Sequence, residues 1–150
     1  MIEQAKNYTT RRGDKFWYLP SKGKDYWHRL DGPAIEYKDG TKEWWVDDKL
    51  HRIDGPAIEY GDGSKEWYVD GKRHRLDGPA VEDANGSKYW FVDDKRHRLD
   101  GPSIERANGS KYWYLNGEQL PSEDVEIWLE ENNIDLSTEE GQMAFKLRWL

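Results

Sequence analysis

A 23-residue repeat constrains this chain more than any other feature of it. His28, His51, His74 and His97 stand 23 residues apart, and each opens one phrase: HRLDGPAIE, HRIDGPAIE, HRLDGPAVE and HRLDGPSIE. A second landmark recurs at the same period, as KEWWV, KEWYV, KYWFV and KYWYL. Four units therefore run from 28 to 120 without an insertion. A fold of stacked copies follows, because one short unit cannot bury its own apolar face. Lys15-Phe16-Trp17-Tyr18-Leu19 matches the second landmark, but a four-residue insertion within PSKGKDYW separates it from its His. The organisation expected is an N-terminal cap with a broken repeat over 1–27, four β repeats over 28–120 and a C-terminal cap over 121–150.

Each unit reads as antiparallel strand. Asp39-Gly40, Asp62-Gly63, Asn85-Gly86 and Asn108-Gly109 are pairs that accept positive φ at both central positions of a type I′ hairpin turn. That turn sets Ile35 opposite Trp44, Ala34 opposite Trp45 and Glu36 opposite Glu43. A second turn is expected at Asp47-Asp48, Asp70-Gly71, Asp93-Asp94 and Asn116-Gly117. It places His74 opposite Trp67 and Arg75 opposite Glu66. Asp-Gly-Pro stops each strand, since Pro cannot donate to a ladder and Gly permits a sharp bend. Period-2 alternation then puts Ile35, Trp44, Val46, His51 and Ile53 on one covered apolar face, and Ala34, Glu36, Glu43, Trp45 and Arg52 on the other. Two carboxylates directly opposed are unfavourable, so Arg52 is expected between Glu36 and Glu43.

At residue 121 the pattern changes. Pro121-Ser122 precedes EDVEIWLEE, and Ser137-Thr138-Glu139-Glu140 reads as a capping box before GQMAFKLRWL. Val125, Trp128 and Leu129, then Met143, Leu147 and Leu150, fall at helical spacing. Two short helices are expected to cap the exposed end of the sheet.

Charge and composition exclude several functions. Residues 1–27 carry 6 basic and 3 acidic groups and residues 121–150 carry 2 and 8, within a chain of net charge −7. A net acidic chain repels a phosphate backbone, so nucleic acid is not an expected partner. With no cysteine, disulfides and thiolate-ligated metals are excluded. No apolar run approaches the roughly 20 residues of a membrane span, and the N-terminal residues lack a signal peptide's apolar stretch. A cytoplasmic location is expected. The 9 Trp, 9 Tyr and 3 Phe argue against disorder.

The repeated His suggests metal, but units of two or three strands lie roughly 10–14 Å apart, too far for His residues of neighbouring units to share one ion. No metal site or cofactor is expected, and each His reads as structural, bonded to a turn. An enzyme needs a locally unique constellation, whereas nearly every Asp, Glu, His and Arg here has copies. No phosphate loop, HExxH or GxSxG is present. The reading is therefore non-catalytic. The aromatic row Trp45, Tyr68, Phe91 and Tyr114, beside the Arg ladder Arg52, Arg75 and Arg98, carries the composition of a protein-binding hot spot. It also suits a nucleotide, whose base stacks while its phosphate meets Arg. Alternatively, the aromatics fill the inside of a curled sheet and the Arg residues pair with the repeated Glu.

The 23-residue unit, with Asp70-Gly71-Lys72-Arg73-His74 and the Asp-Gly before each second landmark, resembles the MORN repeat over residues 15–120. It departs where MORN units carry Gly after the His: here Arg52 follows His51 and Asp54-Gly55-Pro56 comes next. This variant resembles divergent MORN-like proteins of large tailed bacteriophages. The resemblance implies a mainly β fold, an elongated antiparallel sheet of hairpin repeats that mediates protein contacts or oligomerisation. It implies a partner protein, such as a host enzyme or defence component blocked by a phage protein in the host cytoplasm. The phospholipid binding associated with MORN proteins is discounted, since an acidic chain gains little from an anionic surface, and no membrane partner is expected. Two further readings stand beside it: a sponge that sequesters a nucleotide signal, and a self-assembling scaffold joined head to tail as a homo-oligomer.

Overall fold

The structure, a computed structural model, describes residues 5–21 and 24–150. Met1–Gln4 of the expected N-terminal cap, and Lys22-Gly23 within the expected insertion, lie outside the described residues. The chain is mainly β, an antiparallel sheet of successive hairpins, with two helices at its C-terminal end. It forms two compact units, Met1–His74 and Arg75–Leu150, so the boundary falls inside the repeat array.

In the N-terminal unit, β1 (Lys6–Thr9) pairs with β2 (Lys15–Leu19), and β2 pairs in turn with Ile35–Glu36. Lys42–Glu43, Ile58–Glu59 and Lys65–Glu66 continue the ladder. The C-terminal unit repeats the arrangement with Val81–Glu82, Lys88–Tyr89, Ile104–Glu105 and Lys111–Tyr112. Every repeat adds a smaller hairpin outside this sheet, such as Trp45–Val46 against Lys49–Leu50 and Phe91–Val92 against Lys95–Arg96.

The two turns differ in kind. Asp47 and Asp48 both take positive φ, 51° and 62°, and Val46 faces Lys49, so the second turn is the expected two-residue type I′. At the first turn only Gly40 is left-handed, with φ 93°. The Gly40 N–H donates to the Tyr37 carbonyl and the Tyr37 N–H to Thr41, which is a three-residue loop: a type I turn closed by a glycine bulge. Asp39 stays right-handed because its carboxylate accepts the Thr41 N–H at 2.8 Å, as Asp62, Asn85 and Asn108 accept from Ser64, Ser87 and Ser110. The extra loop residue shifts the register by one. Ile35 faces Glu43 and Glu36 faces Lys42, correcting the expected Ile35–Trp44, Ala34–Trp45 and Glu36–Glu43 pairs. The shift also removes the carboxylate clash: Lys and Glu oppose each other across the sheet, as in Lys42–Glu59 and Lys88–Glu105.

The two-face alternation fails for a related reason. The ladders are two residues long; the Trp44 N–H makes one last bond in register, to the Ala57 carbonyl, and the chain then leaves the sheet for the small hairpin that starts at Trp45. Ala34 and Ile35 are consequently both buried, although adjacent residues of a regular strand point oppositely. Ile53 is 78% exposed and its counterparts Leu30 and Leu76 are 75% and 80% exposed, so this row does not belong to the covered face. It sits where the strand has ended, one residue before Asp-Gly-Pro. His74 pairs with Trp67 as expected, but the Arg75 N–H turns away to the Phe91 carbonyl rather than continuing opposite Glu66.

Helix α1 (Ser122–Glu131) and helix α2 (Glu139–Trp149) close the C-terminal unit. Thr138, not Ser137, caps α2: its hydroxyl accepts the Gly141 N–H at 3.0 Å, and the third helical position is Gly141 rather than the Glu of a capping box. The buried face of α2 is Gly141, Phe145 and Trp149, each four residues apart, while Met143, Leu147 and Leu150 are exposed. Gly141 fixes this choice, since a Cβ there would collide with the Asp135 carbonyl. Phe145 and Val125 pack with Trp113, Leu115, Leu120 and Leu136 into the core of this unit.

Candidate partner-binding grooves

The repeated phrase Arg-x-Asp-Gly-Pro builds an internal arginine site. Arg52 donates from Nε to Asp54 at 2.9 Å, and from Nη1 to the Pro56 carbonyl and to Glu59, each at 3.1 Å. Its guanidinium lies 3.9 Å from the centre of the Trp44 ring, a cation–π contact. Arg75 and Arg98 make the same three hydrogen bonds to Asp77, Pro79 and Glu82 and to Asp100, Pro102 and Glu105, and Arg98 covers Trp90. Arg29 repeats the pattern over Trp17, with Glu36 more distant at 3.6 Å. Gly55 leaves room for the guanidinium: a Cβ there would stand 2.9 Å from the Arg52 Cζ and push the side chain aside. The hydrogen bond and charge of Arg52 hold the Asp54 carboxyl below its usual range, and Arg29 does the same to Asp31. Arg52 thus serves Glu59 of its own loop rather than bridging Glu36 and Glu43.

His28, His51 and His97 each reach forward to the second turn of their own repeat. His51 Nδ1 accepts the Asp70 N–H at 3.1 Å and stands 3.0 Å from the Asp70 carboxylate; His28 and Asp47 repeat this. At His97 the partner is the Asn116 N–H. Burial, and then the charge of Lys146, lower the His97 pKa, against a smaller opposing effect of the Asn116 side chain. Among the described residues, no three His, Asp or Glu side chains converge as a metal site.

The aromatic row is tied down as well. Trp45 donates from Nε1 to Glu43 at 2.8 Å, while Tyr68 and Tyr60 both donate their hydroxyls to Glu66. Where Glu43 and Glu66 give way to Tyr89, the aromatic is Phe91, which has no donor and is buried. Arg96 faces both Phe91 and Tyr114, at 5.8 and 5.2 Å from the ring centres. Of the seven residues expected to contact a partner, Trp45, Tyr68, Tyr114 and the three arginines are half-buried and Phe91 is buried. All seven make the internal contacts just described, and Arg52, Arg75 and Arg98 spend their charge on the chain's own carboxylates.

Open space lies beside these sites. In the N-terminal unit a groove of about 440 Å³ has Trp44, Val46 and His51 as its floor, with the Leu30 and Ile53 loops as its walls. The C-terminal unit carries the equivalent groove, about 580 Å³, over Trp90, Val92 and His97 between Leu76 and Leu99. Sequence reasoning missed these walls by assigning Ile53 to the covered face. The available signal was the position of Leu or Ile between Arg and Asp-Gly-Pro, past the end of the strand. A scan against protein-family models and a search of curated proteins each found no match for this chain.

Proposed function

We propose that this chain is a non-catalytic, MORN-like repeat module that binds a partner protein through its groove-and-loop surface. The observation that carries the reading is the contrast within the first three repeats. Arginine, glutamate and aromatic donors are consumed in internal bonds, while Leu30, Ile53 and Leu76 remain about three-quarters exposed. Large aliphatic side chains repeated at the same solvent-facing position of successive repeats suit a protein interface, whose central contacts are apolar. Occupation of a partner's working surface is the effect such a module has, and a phage protein blocking a host enzyme or defence component fits that proposal. The nucleotide alternative is weaker, because the guanidinium groups that would meet a phosphate already meet Asp and Glu.

The test is capture from a bacterial lysate by the wild-type chain and by a variant carrying Leu30→Asp, Ile53→Asp and Leu76→Asp. A partner protein recovered by the wild type and lost by the variant, with unchanged circular dichroism, supports the reading. Equal recovery by both overturns the surface assignment, and a nucleotide-sized adduct in native mass spectrometry overturns the protein-binding reading itself.

A further inference from the structure

The last repeat differs from the others in one instructive way: its groove is filled. The floor and first wall of the open N-terminal groove are Trp44, Val46, His51 and Leu30. The residues at the same repeat positions before the helices are Trp113, Leu115, Leu120 and Leu99. Backbone pairing confirms the equivalence, since the Leu120 N–H donates to the Trp113 carbonyl as the His51 N–H donates to Trp44. All four belong to the helical core or pack against it. Phe145 of α2 is its anchor, fully buried and edge-on to Trp113 at 5.5 Å between ring centres. Covering changes the same positions from partly exposed to closed. Trp113 and Leu115 are 5% and 1% exposed, whereas Trp44 and Val46 are only partly covered.

The molecule therefore contains one example of what seats on this surface, a short helix presenting an aromatic side chain. We propose that the open groove of the N-terminal unit takes an amphipathic helix of a partner protein, whose aromatic anchor enters between Leu30 and Ile53 above Trp44 and Val46. This rests on the protein-binding reading above and adds the chemistry of the partner. The second wall distinguishes the two grooves. Arg52-Ile53-Asp54 stands where the last repeat has Pro121-Ser122-Glu123 and begins α1. With both walls in place, about 440 Å³ admits an aromatic side chain and its neighbours but not a helix body. The helix lies along the mouth of the groove, with anchors one turn apart on a single face. The exposed Leu30 and Ile53 supply the apolar rim that such a face covers.

The probe is the segment that already seats in the last repeat: a fluorescent peptide of residues 138–150, stapled between positions 143 and 147. Met143 and Leu147 are exposed and four residues apart, so the staple restores helicity without touching the Phe145 face. It is titrated against the full chain, with anisotropy and the indole signals of Trp44 and Trp113 as readouts. The expected result is saturable binding that shifts Trp44. Binding falls about thirtyfold, the scale of a hot-spot truncation, when the peptide carries Phe145→Ala or the protein carries Leu30→Glu with Ile53→Glu. Absence of saturable binding, indifference to both changes, or shifts confined to Trp113 through displacement of the resident α2 would each overturn the proposal. Such a failure beside a lysate partner still lost by the aspartate variant leaves the protein-binding reading intact and removes only the helix.

Discussion

Replacing Arg52 by Lys keeps the charge and removes the fork, which isolates what the guanidinium contributes. Three acceptors surround it, the Asp54 carboxylate, the Pro56 carbonyl and the Glu59 carboxylate, with the Trp44 ring beneath. A lysine ammonium is a point donor on a flexible stem and cannot hold all of them in one plane. The Asp54 bond contributes little, because that side chain is 85% exposed and water competes for it. The Glu59 bond and the carbonyl bond, each to a guanidinium that is only 21% exposed, contribute about 1 kcal/mol apiece, and stacking on Trp44 adds about 0.5–1 kcal/mol. Arg52→Lys should therefore destabilise the N-terminal unit by about 2 kcal/mol, with Asp54→Ala costing much less because water competes for its carboxylate. Urea unfolding followed by tryptophan fluorescence, with amide exchange at Ala57 and Glu59 as a local reporter, measures both. A double-mutant cycle of Arg52→Lys with Glu59→Gln should return a coupling of about 1 kcal/mol. Wild-type stability in Arg52→Lys, or a larger loss in Asp54→Ala, would refute the reasoning.

Further outcomes follow from the turns and the titrating groups. Gly63 sits at φ 93° with nothing within 4 Å of a would-be Cβ, so Gly63→Ala should cost about 1–2 kcal/mol from backbone conformation alone. Gly61→Ala, whose Cβ meets the Asp39 carbonyl, should cost more; equal costs in chemical denaturation would contradict the bulge-turn assignment. His97 is held below its ordinary pKa of 6.5. The unfolded chain therefore binds the proton more readily, and stability present above about pH 6.5 is lost as pH falls through the folded value. Lys146→Gln should raise the His97 midpoint in an NMR titration and shrink that loss. Burial and the nearby Glu66 carboxylate push the Tyr60 phenol up to about 12. Its stabilising contribution is complete below the ordinary value near 10 and fades as pH rises through the folded one. Glu66→Gln should lower the Tyr60 midpoint in an ultraviolet titration, and an unmoved midpoint would count against the hydrogen bond.

The second turn was legible because it depends only on local chemistry. Asp-Asp, Asp-Gly and Asn-Gly flanked by strand tolerate two left-handed residues, and no distant contact alters that. The first turn was not legible in the same way. Asp-Gly serves both a two-residue type I′ loop and a three-residue loop with a glycine bulge, and the choice rests on Asp39 accepting the Thr41 N–H. One residue of difference moves every cross-strand pair, which is why the expected Glu36–Glu43 juxtaposition became Glu36–Lys42. The candidate site suffered likewise. Arg52, Trp45 and Tyr68 were identified as repeated chemistry, but whether an Arg faces solvent or closes on its own Asp and Glu depends on the bend at Gly55-Pro56.

Repetition, by itself, determined that the chain folds as successive hairpins with a separate helical end, because copies at a fixed period share one local solution and must stack to bury it. Tertiary structure alone decided which side chains remain available. Ladders two residues long break the alternation that would have sorted the faces, leaving Ala34 and Ile35 both buried and Ile53 in solvent. Packing likewise overruled spacing in α2. Met143, Leu147 and Leu150 form a good helical stripe, yet Phe145 is buried because Gly141 permits close approach along the other face. Periodicity measures what a segment can present; burial follows from what the rest of the chain brings against it.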